Sequence, residues 1–211
     1  MAQFTVQDVV QDVAGFINQD RTLPTSTELE AFVGYINNAQ EKWEEAYDWD
    51  LLKNTSYIAD NGGSLNAYFD KVLTHVYDQK TNPQTEYPVI KPEERYNKLE
   101  TDKYAYVMGN PVAGYTLSVN AASLASLHFD WKARATALAT LTQITTCPSK
   151  EYLATKAAAI ILKSRSDTRF PAMEADAQMI LSGLIANQDN NISKRQVGSW
   201  TRKAGYVIGE N

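Results

Sequence analysis

The sequence holds a single cysteine, Cys147, and two histidines, His75 and His128. One thiol excludes an intrachain disulfide and any multi-cysteine metal site, and a lone thiol of this kind is expected to be inert packing. Two histidines leave little for acid–base work at neutral pH. His75 alternates with Leu73 and Tyr77, and His128 lies between Leu127 and Phe129, so each is expected on a sheet, whereas a general base also needs an orienting partner. No run approaches the ~18 apolar residues of a membrane span, and M-A-Q-F-T-V-Q-D lacks the basic and apolar regions of a signal peptide. The chain is therefore expected to stay in the cytoplasm where it is made, away from membranes. Walker, dinucleotide, H-E-x-x-H and G-x-S-x-G signatures are absent. Gly62-Gly63 lies between expected strands and not at a helix start, so it offers no phosphate cradle.

What remains is the composition of an ordinary folded chain: 211 residues, 44% hydrophobic, 21% charged. That length suits one sizeable core, or a helical body carrying a small β module. A net charge of −5 argues against dedicated nucleic-acid binding. The sign changes locally, since Gln188 to Asn211 carries four cations against two carboxylates. Lys150, Lys156, Lys163, Arg165 and Arg169 add a positive edge nearby, enough for passive tolerance of DNA.

Helical spacing is clear at both ends. Thr5 and Asp8 offer a cap to Val6, Val9, Val10, Val13, Phe16 and Ile17, and Thr25 with Glu28 reads as a capping box for Leu29, Phe32, Val33, Ile36, Ala39, Trp43 and Tyr47. Pro148-Ser149 opens a third helix along Leu153, Ala157, Ile160 and Ile161. A fourth is predicted over Pro171 to Ala186, with Q-D-N-N ending regular structure beyond Asn187. Between the helical ends, Leu51 to Asp60 and Lys71 to Tyr77 look extended, with a D-N-G-G hairpin signal at Asp60 to Gly63. Period-two sets Tyr104/Tyr106/Met108, Tyr115/Leu117/Val119 and Leu127/Phe129/Trp131 predict an antiparallel meander, each set on one face. Ala135 to Thr146 is ambiguous between helix and loop, with its alanines and Leu138/Leu141 favouring partial helix. The expected fold class is α+β: a helical bundle body from two N-terminal (1–50) and two C-terminal (132–191) helices, an inserted small antiparallel β module (51–131), and an extended tail (192–211).

Two candidate sites follow. Glu41, Glu44, Glu45 and Asp48 recur three and four apart on the second helix, a spacing that could hold a cation or paired acid and base; a solvated or partner-facing acidic stripe is the plainer explanation. The tail mixes Ile192, Trp200, Tyr206, Val207 and Ile208 with Lys194, Arg195, Arg202 and Lys203. It is too short to bury its own aromatics, so it is either a frayed terminus or ordered against a partner.

A helical hairpin ending in W-E-E-A-Y-D-W-D-L-L, then Y-A-Y-V-M-G, Y-T-L-S-V and L-H-F-D-W-K, then two helices and a tail, resembles the head-to-tail adaptor proteins of tailed bacteriophages, also called connector or tail tubular A-like proteins. The resemblance covers roughly Phe4 to Asn187, and the tail in character; Asn120 stands where the commoner version has proline. It implies a non-enzymatic virion protein at the head–tail junction, without cofactor or metal. It further implies a ring, twelve-fold to match a portal, whose wall is helical, whose β module faces outward or toward tail or nozzle proteins, and whose channel passes DNA as cargo. Ile192, Lys194, Arg195, Trp200, Arg202, Lys203, Tyr206, Val207 and Ile208 would then form the portal-docking tail. Another virion or assembly protein, a soluble protein-binding module and a metal-assisted enzyme using the acidic stripe are the alternatives.

Overall fold

The computed structural model describes residues 4–18, 20–58, 62–78, 84–120 and 126–204, with side chains at all of these except 57, 58 and 190–204. The chain divides into two compact units, one of Met1–Trp49 with Thr136–Asn211 and one of Asp50–Ala135.

In the first unit, α1 (Val6–Asn18) starts at a reciprocal cap: the Thr5 N–H and hydroxyl both donate to Asp8 Oδ2, at 2.7 and 2.8 Å. Two more of its open N–H groups, those of Val6 and Gln7, donate to the carbonyls of Gln143 and Leu141. α2 (Ser26–Ala46) buries Phe32, Ile36, Ala39 and Trp43 as its spacing predicts. α3 (Lys150–Ser164) is capped by Ser149, whose Oγ accepts from the Tyr152 N–H at 3.1 Å. α4 runs from Phe170 to Ala204.

The expected helical bundle does not form. α3 buries residues on every side, including Leu153, Ala154, Thr155, Ala157, Ala158, Ala159, Ile161 and Leu162. A helix apolar all round belongs at a centre, and α1, α2 and α4 each pack against it. α4 rests mainly on α3, through Ala177 and Leu181. It is 35 residues long against 15 for α3, or about 52 Å against about 22 Å at the helical rise. The expected stop near Asn187 and the extended tail are also corrected. Ile192, Lys194, Arg195, Trp200, Arg202 and Lys203 lie within the continuing helix, while Tyr206, Val207 and Ile208 fall outside the described residues.

The segment between Ala135 and Thr146 is a loop and not the partial helix its alanines favour, and side chains explain why. Asn37 of α2 exchanges two hydrogen bonds of 2.8 Å with the backbone of Leu138. Gln40 Nε2 donates to the Thr136 carbonyl and Gln40 Oε1 accepts from the Thr146 N–H. Gln143 clamps the loop from within, accepting from the Ala139 N–H and donating to the Ala137 carbonyl. Backbone groups held this way are lost to a helix.

The second unit is more than a small inserted module. Eight strands among the described residues form two antiparallel sheets. In one, β8 (Leu127–Ala133) pairs with β1 (Lys53–Ile58) on one side and with β3 (Phe69–Val72) and β4 (Val76–Asp78) on the other; β5 (Thr85–Tyr87) flanks β4. In the other, β7 (Gly114–Val119) lies between β2 (Gly63–Ser64) and β6 (Ala105–Asn110). The predicted meander is thus half right: β6 and β7 form a hairpin, but β8 belongs to the other sheet. Asp60 and Asn61 of the D-N-G-G signal lie outside the described residues, and among the described ones β1 pairs with β8 and β2 with β7. One core joins the sheets: Phe69, Val76, Tyr87, Leu127, Phe129 and Trp131 against Ala105, Leu117 and Val119. Each large side chain fully buried there contributes about 1.5–3 kcal/mol. In β6 the inward set is Ala105 and Val107, so Tyr106 and Met108 share the outward face.

Candidate functional site

The acidic stripe stays a stripe. Glu41 and Glu45 are exposed, Glu44 and Asp48 half-buried, and Glu45 pairs with Lys42 at 2.8 Å. Among the described residues no group of three or more His, Cys, Asp or Glu side chains is placed to hold a metal ion. Glu41, Glu44 and Glu45 lie on α2, but the helix ends at Ala46 and the backbone is extended at Tyr47, so Asp48 falls beyond the helix and does not continue its face as the spacing predicts. Behind the stripe, Trp43 and Trp49 stack with centroids 4.9 Å apart, and Trp49 Nε1 donates to the Trp43 carbonyl at 2.6 Å. The aromatic exit of α2 is therefore packing. Between the two tryptophans in sequence, Tyr47 donates from its hydroxyl to Asp189 of α4, which ties α4 to the end of α2 just before the cationic segment.

The histidines come closer together than their sequence positions suggest. His75 Nδ1 lies 3.6 Å from Glu86 Oε2, and the His128 ring is 5.7 Å from that of Tyr77. Tyr77 in turn hydrogen-bonds Glu86, which holds its phenol above the usual value. His75 and Glu86 are both more than half exposed, so this pair lies on an open surface without the enclosure that sharpens acid–base chemistry. Cys147 is buried, and burial pushes its thiol up to about 12. A group so seldom ionised is not a nucleophile.

Sequence reasoning missed a surface around Arg95. It lies in a 3-10 helix over Pro92–Asn97, where proline takes the first position. Its Nη2 donates to the Tyr96 hydroxyl at 2.7 Å and its Nη1 approaches Met108 Sδ at 3.1 Å. The guanidinium carbon stands 4.7 Å from the Tyr96 ring centre and 5.2 Å from that of Tyr106. Tyr104 adds a ring 6.2 Å from Tyr106. Among the described residues no carboxylate pairs with Arg95. An arginine held between tyrosines and a methionine on an accessible face matches the chemistry enriched at protein-binding hot spots. Its signal lies in E-E-R-Y followed by the period-two tyrosines of Y-A-Y-V-M.

From the same strand, the β6–β7 hairpin ends in a locked tip. Asn110 Oδ1 accepts from the N–H groups of both Val112 and Ala113, at 2.9 and 2.8 Å. Gly109 adopts φ +123°, and a Cβ there would lie 2.0 Å from the Gly114 carbonyl oxygen. Val112 at the tip is 99% exposed. In the first unit, Leu29, Glu30 and Val33 of α2 with Ala139 and Leu141 line an apolar groove of about 200 Å3. No protein-family model matches the sequence, and no curated protein matches it.

Proposed function

We propose that the protein is a non-catalytic structural adaptor, assembling beneath the portal ring at the head–tail junction of a tailed bacteriophage, with the far part of α4 as its docking arm. The observation that carries this is the length of α4. The helix outlasts α3, the helix it packs on, by about 30 Å, and its continuation carries Lys194, Arg195, Arg202 and Lys203 with no carboxylate between Asn190 and Ala204. A helix sustained beyond its packing partner needs another surface, because isolated helices of such length are marginal in water. Ile192, Val197 and Trp200 supply apolar contact and the cations supply steering toward an acidic partner groove. The arm is thus helical at least to Ala204, in place of an extended strap.

In this account copies form a ring, twelve-fold on a twelve-fold portal, with DNA passing through as cargo. Electron micrographs of purified portal rings mixed with this protein should show added density on one face of each ring. Bare portals at saturating protein would remove the proposal. A second account, a protein-binding module outside any virion, is favoured by the Arg95–Tyr96–Tyr106–Met108 surface, which needs only a protein partner.

A further inference from the structure

Two features in different parts of the chain complement each other in shape and polarity. The first is the β6–β7 tip, an aliphatic knob of Pro111 and Val112. Turn tips ordinarily carry Gly, Asn, Asp, Ser or Pro, each for a backbone reason. A valine has no such reason, and at 99% exposure nothing among the described residues covers it. The knob is rigid, since Asn110 holds both following N–H groups and Gly109 fits where no Cβ can. Asn110 spends its carbonyl oxygen on these bonds, which leaves its amide N–H donors beside the valine.

The second feature is the groove on α2. Its walls are Leu29, Val33, Ala139 and Leu141, with the exposed carboxylate of Glu30 at the rim. It is as rigid as the knob, because Asn37, Gln40 and Gln143 fasten the loop that forms one wall. Its volume, about 200 Å3, admits one branched side chain and a proline ring. Among the described residues no cation pairs with Glu30. An aliphatic knob flanked by an amide donor therefore meets an aliphatic groove flanked by a carboxylate acceptor.

We propose that the β6–β7 tip of one copy seats in the α2 groove of a second copy, with Val112 between Leu29, Val33 and Leu141 and the Asn110 amide donating to Glu30. The two surfaces differ, so a single contact leaves one free knob and one free groove on the pair, and addition continues until a closed set forms, by reciprocal exchange between two copies or as a larger ring, or a filament grows. Both partners are pre-organised, so little ordering opposes the contact. It is nevertheless small, and one contact alone belongs to the weak class.

The test is sedimentation velocity on the full chain from about 10 µM to about 1 mM, the range in which weak contacts populate. The wild type should sediment faster as concentration rises. Val112→Asp removes the knob and Ala139→Arg fills the groove; both positions are exposed, so the fold is kept, as far-ultraviolet circular dichroism will verify. Each variant alone should stay monomeric, its association weakened at least about tenfold. Mixed in equal amounts they retain one intact knob and one intact groove between them, and should form a dimer and nothing larger. A wild type monomeric throughout, a Val112→Asp chain that associates like the wild type, or a mixture that stays monomeric or grows beyond a dimer would each overturn the proposal. Neither variant touches α4, so failure here leaves the docking of the arm to its own test.

Discussion

Replacing Gly109 by alanine tests whether the β6–β7 tip is as constrained as its geometry requires. At φ +123° the added Cβ would stand 2.0 Å from the Gly114 oxygen, 2.9 Å from Tyr115 Cα and 3.0 Å from the Gly114 carbonyl carbon. All three are backbone atoms of the facing strand, so no side-chain rotation relieves the overlap. Positive φ in an L-residue costs about 1–3 kcal/mol, and opening the last pairs, Gly109↔Tyr115 and Asn110↔Gly114, forfeits hydrogen bonds of about 1 kcal/mol each. The expected loss is about 2–4 kcal/mol, which moves a urea midpoint down by roughly 1–2 M at a typical slope. Gly34→Ala is the control of opposite sign. Gly34 lies within α2 with nothing within 4 Å of its would-be Cβ, so alanine should stabilise by about 0.5–1 kcal/mol through helix propensity. Urea unfolding followed by tryptophan fluorescence and circular dichroism reads both. A Gly109→Ala chain within about 0.5 kcal/mol of the wild type, or both variants shifting the same way, would refute the reasoning.

Two further outcomes follow from buried groups in the first unit. Lys156 Nζ meets Glu174 Oε1 at 2.5 Å, with the lysine side chain only 12% exposed. Burial pushes the Glu174 carboxyl up, but hydrogen bonds from Lys156 and Gln178 outweigh it and hold the carboxyl below its usual value. A carboxyl depressed on folding adds stability above its unfolded pKa and loses it as pH falls through the folded one. Lys156→Met should therefore cost about 1.5–3 kcal/mol at pH 7, a deficit that shrinks as acid protonates Glu174; a pH-independent deficit in urea titrations would exclude this cause. Cys147, buried and pushed up to about 12, should resist iodoacetamide at pH 8 in the native chain and react at the rate of an ordinary thiol in 6 M guanidinium, as followed by intact mass. Fast native labelling would contradict its placement.

The helix starts were legible because they are local. Thr5 with Asp8, and Ser149 before Lys150, announce caps within four residues, and α1 and α3 follow them. Strand partners were not legible, because pairing is a choice among distant segments: nothing near Leu127 in sequence says that β8 lies among β1, β3 and β4 instead of beside β7. The outward turn of Tyr106 and Met108 was hidden by period two itself. Both alternating sets of Y-A-Y-V-M contain apolar residues, and the smaller Ala105 and Val107 fill the core. The end of α4 was misjudged because Q-D-N-N resembles a stop, whereas each such residue costs a helix at most about 0.7 kcal/mol. Of the candidate sites, the acidic spacing was readable and its lack of convergence was not. The Arg95 surface and the α2 groove depend on residues far apart in sequence, and only the folded chain assembles them.

The claim that α4 is the docking arm is tested most directly by comparing the affinity for immobilised portal rings of the full chain and of a chain ending at Asn191. The shortened chain keeps Ala177 and Leu181 on α3 and so should stay folded. Loss of the cations and of Trp200 should weaken binding at least about 100-fold, as expected when a hot-spot aromatic and its charged neighbours go together. Equal affinity of the two chains would contradict the account.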